Sequence, residues 1–297
     1  MRILVTGAEG FVGSNLIPQL VKDHEVIALD YLVNRDRSNL PEEVPYINRD
    51  LSQIDVSEIP EADLVIHLAT ISVERISETP VYKDVNISSM YKILEYVIRS
   101  NADLIFSSSA SVYGSGINFT ETSPLNPLSA YSLTKILEEQ HAKFCSDTYG
   151  LNVTVLRYSN CYGDTSYIEN KFYPGKKGVI RIFTEKALRN EVLPVIRNQS
   201  RDFTFIDDIV SATQSVIGLK GFNIFNVGTG IETKVETLVD IIGQALDKKT
   251  SFATIPPRKI DNLSRRSLNI DKISELWKPR YMPQEGIELY IKRLREK

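Results

Sequence analysis

Along the chain, short apolar runs alternate with stretches in which apolar residues recur every three or four positions. The runs are "RILVTG" at 2–7, "EVIALD" at 25–30, "VPYI" at 44–47, "DLVIHLA" at 63–69, "DLIFSSS" at 103–109 and "LNVTVLRYS" at 151–159. Most of them do not alternate polar with apolar, which is the pattern of strands buried on both faces of a parallel sheet. Helix-period segments lie between several of them. "NISSMYKILEYVIRS" (86–100) places Met90, Ile93, Leu94, Val97 and Ile98 along one stripe, and 130–148 is similar. Strands alternating with helices predict an α/β fold built on a doubly wound parallel sheet.

After residue 160 the pattern loosens. "GDTSYIENKFYPGKKG" (163–178) is polar, carries Pro174 and three glycines, and reads as a long functional loop. Helices are then expected near 179–190, over 207–218, around 233–247 and at 284–296, with a strand at 222–228. The expected organisation is a dinucleotide-type domain over 1–160, to which 205–228 returns, and a smaller C-terminal substrate-binding lobe made of 161–204 and 229–297. Pro18 falls inside the first helical segment, where it forfeits a backbone hydrogen bond, so that helix should be short or bent.

Composition narrows the function classes. The 297 residues are 42% hydrophobic and 25% charged, with 35 basic against 38 acidic side chains and a net charge of −3. This is an ordinary globular balance, with no overall field to favour nucleic acid or an acidic membrane. The N-terminus lacks a signal-peptide pattern and no stretch approaches a membrane span, so a cytoplasmic location is expected. Cys145 and Cys161 form no CxxC pair, and the three histidines are scattered. Neither a disulfide framework nor a metal site is expected.

The candidate chemistry begins at "TGAEGFVG", where Gly7, Gly10 and Gly13 follow the first strand and open the first helix. Glycines there let the backbone turn tightly and approach a pyrophosphate resting on a helix N-terminus. The spacing is GxxGxxG, and a ligand-free glycine turn is the alternative reading. The second strand ends in Asp30, 17 residues after Gly13. A carboxylate there accepts from adenosine ribose hydroxyls and repels a 2′-phosphate, which favours NAD over NADP. Further on, "YSLTK" sets Tyr131 and Lys135 one helical turn apart on one face.

Together "TGAEGFVG", "RDL" (49–51), "HLAT" (67–70), "SSSASVYG" (107–114), "YSLTK", "LRYSNCYG" (157–163 and its preceding residue), "RDFTFIDD" (201–208) and "NVGTG" (226–230) resemble the extended short-chain dehydrogenase/reductases that act on nucleotide sugars. The resemblance runs in order from residue 1 to about 230 and implies a Rossmann fold with NAD as cofactor. It implies that Gly7, Gly10, Phe11, Val12, Gly13 and Asp30 hold the dinucleotide. Asp50 and Leu51 would border the adenine and Leu68, Ala69 and Thr70 the middle of the cofactor, Asn86 and Ser107 would lie near the cofactor, and Tyr158 would approach its nicotinamide side. Ser109, Tyr131 and Lys135 resemble the catalytic Ser-Tyr-Lys set of the family. Asn160, Arg201 and one of Arg265 and Arg266, with Arg265 preferred, would hold the sugar nucleotide. The family commonly reads "HLAA" and "RYFN"; Thr70 and Ser159 depart from it. It also implies a homodimer formed by pairing two helices from each protomer.

On this resemblance Tyr131, helped by Lys135 and a cationic nicotinamide, would take a proton from a sugar hydroxyl, and Ser109 would hydrogen-bond the same oxygen. The dehydratases and decarboxylases of the family resemble one another in an acidic residue one or two positions after the strand-end Ser/Thr, where this chain has Ala110 and Ser111. The expected activity is therefore a UDP-glucose 4-epimerase-like inversion of carbon 4 of a UDP-hexose. A keto-sugar reductase or a 4,6-dehydratase is the alternative. A non-enzymatic dinucleotide sensor would ordinarily have lost Tyr131 or Lys135. Plainer readings stand beside these: serines 107–109 as strand-end caps, Arg201 as a surface ion-pair partner of Asp202 or Asp207, His67 as a core residue and Cys161 as packing.

Overall fold

A computed structural model describes residues 1–31, 40–71, 81–164, 178–257 and 265–296, with 81–84 by their backbone only. The loop expected at 163–178 lies, from 165 to 177, outside the described residues. Strands in chain order are β1 (Arg2–Thr6), β2 (Glu25–Asp30), β3 (Tyr46–Asn48), β4 (Leu64–His67), β5 (Asp103–Ser109), β6 (Gly116–Phe119), β7 (Val153–Tyr158), β8 (Asn160–Tyr162), β9 (Leu193–Val195), β10 (Ser200–Arg201), β11 (Phe203–Phe205), β12 (Phe222–Val227), β13 (Thr233–Lys234), β14 (Phe252–Thr254) and β15 (Arg266–Leu268).

Among the described residues, seven parallel strands form one sheet in the order β12-β7-β5-β4-β1-β2-β3. Side chains alternate across it. Ile3, Val5, Ile66, Ile105 and Leu156 face a layer that includes helices Gly13–Leu20, Ile206–Ser215 and Val235–Leu246. Leu4, Val65, Leu104, Phe106, Val153 and Val155 face Val81–Ser100 and Ala130–Tyr149, whose Met90, Ile93, Leu94, Val97 and Ala142 are buried against them. Covering both faces is what removes the polar alternation from these strands.

Chain direction reverses between β1 and β4: after β1 the chain steps outward to β2 and β3, then crosses back to β4, β5, β7 and β12. Such a switch point opens a crevice at the carboxyl ends of the strands. Pro18 sits inside an eight-residue helix, Gly13–Leu20, so that helix is short. Several boundaries move from expectation. The 44–47 run yields strand only from Tyr46, and the 207–218 segment is helical over Ile206–Ser215. Helix Val179–Leu188 stops early because Asn190 turns to φ 56°, a left-handed conformation that ends helices.

Small pairs of strands finish the C-terminal part: β8 with β11, β10 with β13, β9 with β14 and β6 with β15. The β6–β15 pair matters most for the site, because it brings residues 265–268 up to the turn that follows β5. No helix among the described residues is long and apolar enough to cross a membrane.

Candidate active site

The glycine turn lies at the switch point. Gly7 has φ 69°, and a Cβ there would stand 2.5 Å from the backbone nitrogen of Ala69; a Cβ at Gly13 would stand 2.4 Å from the Gly7 carbonyl oxygen. Only glycine permits that approach, which lays the β1 turn directly on the end of β4. Helix Gly13–Leu20 opens from this turn, with Phe11 and Val12 half-buried before it, and the first N–H groups of a helix have no partner within it. Asp30 ties the turn down: its carboxylate accepts from the Glu9 N–H at 2.9 Å and the Tyr31 N–H at 2.7 Å. The Asp50 carboxylate is engaged within its own turn by Ser52 and Gln53, and Leu51 is buried.

At the end of β4, Leu68 is buried, Ala69 half-buried and Thr70 exposed. Asn86 anchors this segment. Its Oδ1 accepts from the Ile71 N–H at 2.7 Å, and its Nδ2 donates to the Ile71 carbonyl and to Thr134 Oγ1. Ser107 donates to the His67 carbonyl, and Ser108 to Glu139. The Tyr158 hydroxyl bonds Thr213 at 2.7 Å, so its phenol points to helix Ile206–Ser215.

The serine, tyrosine and lysine come together where β5 ends. Ser109 Oγ accepts from the Ser111 N–H at 3.1 Å, capping a short helical turn over Ala110–Tyr113 and leaving its own O–H to donate. Ser129 caps the helix Ala130–Tyr149 through a reciprocal box with Ser132, which sets Tyr131 in the first turn. Lys135, one turn on and 1% exposed, holds its ammonium 5.9 Å from the centre of the Tyr131 ring. Burial raises the Tyr131 phenol above its ordinary value; Lys135 pulls it down, Glu138 pushes it up again, and the Ser109 hydroxyl lowers it. The lysine's pull is present, but within the chain itself burial outweighs it.

The residues expected to hold the diphosphate are arranged unequally. Asn160 and Arg201 are half-buried, and the Asn160 N–H donates at 3.0 Å to the carbonyl of Asp202, the residue after Arg201. Asp202 fastens the 229–230 turn beneath them, accepting from Thr229 and Gly230. Arg265 is 52% exposed and is engaged bidentately by Glu232 at 2.6 and 2.5 Å. Arg266 is 6% exposed; its Nε donates to the Gly114 carbonyl, while its Nη2 is buried with no hydrogen-bond partner. Burial and the neighbouring Arg201 charge both disfavour its protonated form, and the Tyr131 phenol lies close enough to favour it. A buried guanidinium facing a second one is costly unless an anion joins them.

Two buried glutamates were not singled out in the sequence. Glu138 pairs with Lys135 at 2.8 Å, and Glu139 makes a bidentate pair with Arg157 at 3.0 and 2.6 Å. The available signal was spacing, since residues three and four after Lys135 return to its face of the helix. The glycine turn, Asp30 and the chain end at 68–71 thus meet at the switch point, where a doubly wound sheet holds its dinucleotide, and Asn86 ties that chain end to Thr134, between Tyr131 and Lys135.

Comparison with known proteins agrees with this architecture. The family model for the NAD dependent epimerase/dehydratase family matches residues 3–228. A putative UDP-glucose 4-epimerase of Methanocaldococcus jannaschii is 35% identical, with 97% of each chain covered. A crystal structure of UDP-glucose 4-epimerase with UDP-glucose from Thermotoga maritima is 30% identical, with a TM-score of 0.90 over 100% of this chain and 99% of that one. A dTDP-glucose 4,6-dehydratase of Streptomyces venezuelae, solved with NAD, is 28% identical with a TM-score of 0.87, covering 100% of this chain and 98% of that one. With a Rossmann-type sheet, a glycine turn at its switch point and a family match across most of its length, the chain belongs to the NAD-dependent epimerase/dehydratase family of extended short-chain dehydrogenase/reductases, enzymes whose cofactor is NAD.

Proposed function

We propose that the protein is a nucleotide-sugar 4-epimerase that inverts carbon 4 of a UDP-hexose through a transient 4-keto sugar. The observation that carries this reading is the Ser109, Tyr131 and Lys135 set with the buried guanidinium of Arg266 beside it. A sugar hydroxyl at Tyr131 and a diphosphate at Arg201 and Arg266 would satisfy both. On this reading 1–160 with 205–228 carries the cofactor through the glycine turn, Asp30 and Asn86, and 161–204 with 229–297 carries the nucleotide sugar.

NAD, when bound, supplies the acceptor and then the donor of the hydride that leaves carbon 4. The chain's own residues handle the proton. Tyr131, as phenolate, takes it from the 4-hydroxyl; Ser109 donates a hydrogen bond to that oxygen; and Tyr131 returns the proton when the turned keto sugar is reduced on its other face. Net redox change is zero. Ala110 and Ser111 follow Ser109, and neither can shuttle the second proton that eliminating water would require.

Assembly belongs to the same reading. Helices Val81–Ser100 and Ala130–Tyr149 pack side by side and leave Tyr91, Leu133, Leu137 and Phe144 exposed, Phe144 at 62%. Pairing two copies across this face would form a four-helix bundle in a homodimer.

The test is to incubate the protein with UDP-glucose and catalytic NAD and follow the sugar by proton NMR. UDP-galactose should form with no reductant consumed. Steady consumption of NADH by a keto sugar would establish a reductase instead, and a 4-keto-6-deoxy product a dehydratase. Tyr131→Phe should lower kcat by about 10²–10⁴-fold while NAD stays bound; unchanged turnover in that variant would remove Tyr131 as the base.

A further inference from the structure

Lys135 is not the only charge on its face of the helix. Glu138, one turn further on, is as deeply buried, and its Oε2 lies 2.8 Å from the Lys135 Nζ. A buried ammonium with no counter-charge tends to lose its proton, and a carboxylate in contact keeps it charged. The same carboxylate subtracts from the field the lysine projects onto its neighbours. We propose that Glu138 is a positioning residue for Tyr131: it clamps the Lys135 ammonium in place and cancels much of its charge, so that the phenol gives up its proton only when a cationic nicotinamide lies beside it. The inference rests on the proposed function only in taking Tyr131 as the base.

Apart from Arg266, the titratable groups around the pair are neutral or engaged elsewhere. On its own helix Lys135 meets Tyr131, Glu138 and Glu139, but Glu139 is committed to Arg157 of β7 and to Ser108 of β5. From β4, His67 faces Lys135 and is held neutral, its pKa pushed down to about 3 by burial and by Lys135. From β8, Cys161 stands near Tyr131 with a thiol that burial pushes up to about 12, so it too is neutral. Tyr113 is close to Arg157, and burial raises its phenol as well. Arg266 approaches Tyr131 from β15, where it faces Arg201. Within the chain, Glu138 opposes Lys135 at the phenol, raising its pKa where Lys135 lowers it. The balance makes chemical sense for a base that must be ionised before hydride leaves the sugar and protonated afterwards: loss of the cofactor's positive charge then favours proton uptake by Tyr131.

The test reads the phenol directly. The ultraviolet tyrosinate band is titrated in the NAD-bound protein, with Tyr131→Phe identifying the contribution of residue 131. In Glu138→Gln the midpoint should fall by about one pH unit, because the opposing charge is gone. The acidic limb of the kcat profile should move the same way, and a basic limb should appear as Lys135, without its carboxylate, deprotonates. Glu138→Asp, which keeps the charge, should restore the original midpoint. A midpoint unchanged in Glu138→Gln would overturn the proposal and leave Glu138 a packing residue. Should Glu138→Gln fail to fold, carbon NMR of glutamate carboxyls in the wild-type holoenzyme decides: a Glu138 carboxylate ionised across the active pH range supports the proposal, and a protonated one sinks it. The absorbance titration does not depend on the reaction, so absent epimerisation with a shifted midpoint would refute the proposed activity and not the role of Glu138.

Discussion

His67 shows what burial does to one side chain at the centre of this sheet. It is fully enclosed, shares a 2.7 Å hydrogen bond with Thr6, and has its pKa pushed down to about 3, first by burial and then by Lys135. An unfolded histidine titrates near pH ~6.5. Between those values the unfolded chain binds the extra proton and the folded one does not, so stability rises with pH through this window and is lost as pH falls below about 6.5. At about pH 5 the loss amounts to about 2 kcal/mol. Thermal midpoints should drop over that range in the wild type and drop less in His67→Gln; parallel curves would show that other groups govern the acid side. The sequence offered His67 as a core residue, and it is one. A charged residue at the spacing of Glu138 normally lies on a solvated face, and only the packing of its helix against the sheet encloses it.

At the scale of elements, the arginine pair is decided by strand alternation. β15 lies beside β6, so Arg265, just before it, turns outward to Glu232 and Arg266 turns inward to Arg201. A shift of one residue in a strand exchanges its faces. The sequence preferred Arg265 for the diphosphate; the enclosed, partnerless Nη2 favours Arg266 for that role. Arg266→Ala should raise KM for the nucleotide sugar by about 10-fold or more, the effect of losing a charge-assisted hydrogen bond, while Arg265→Ala should leave KM within about twofold. The reverse order in steady-state kinetics would return the role to Arg265. The pattern of residues fixed neither choice, since three residues of strand carry too little periodicity to show which side faces inward.

At the scale of the molecule, the crevice exists because the chain reverses its course between β1 and β4, and because β6 and β15 bring residue 266 to the end of β5. The exposed apolar face on helices Val81–Ser100 and Ala130–Tyr149 belongs to this scale as well. Phe144→Asp should convert a dimer into a monomer in sedimentation velocity; a wild-type monomer at micromolar concentration would refute the proposed pairing. The sequence by itself determined the α/β class, the strands of the sheet and the glycine turn, because these rest on local periodicity and on the stereochemistry open to glycine; the Ser109, Tyr131 and Lys135 set was implied by the resemblance of its ordered motifs to a family. Tertiary structure alone decided which charges are enclosed and what each faces. Burial arises from contacts between residues far apart in sequence, as Arg266 and Tyr131 are; a local pattern can bring Glu138 to the face of Lys135, but it does not encode the dielectric the pair will meet.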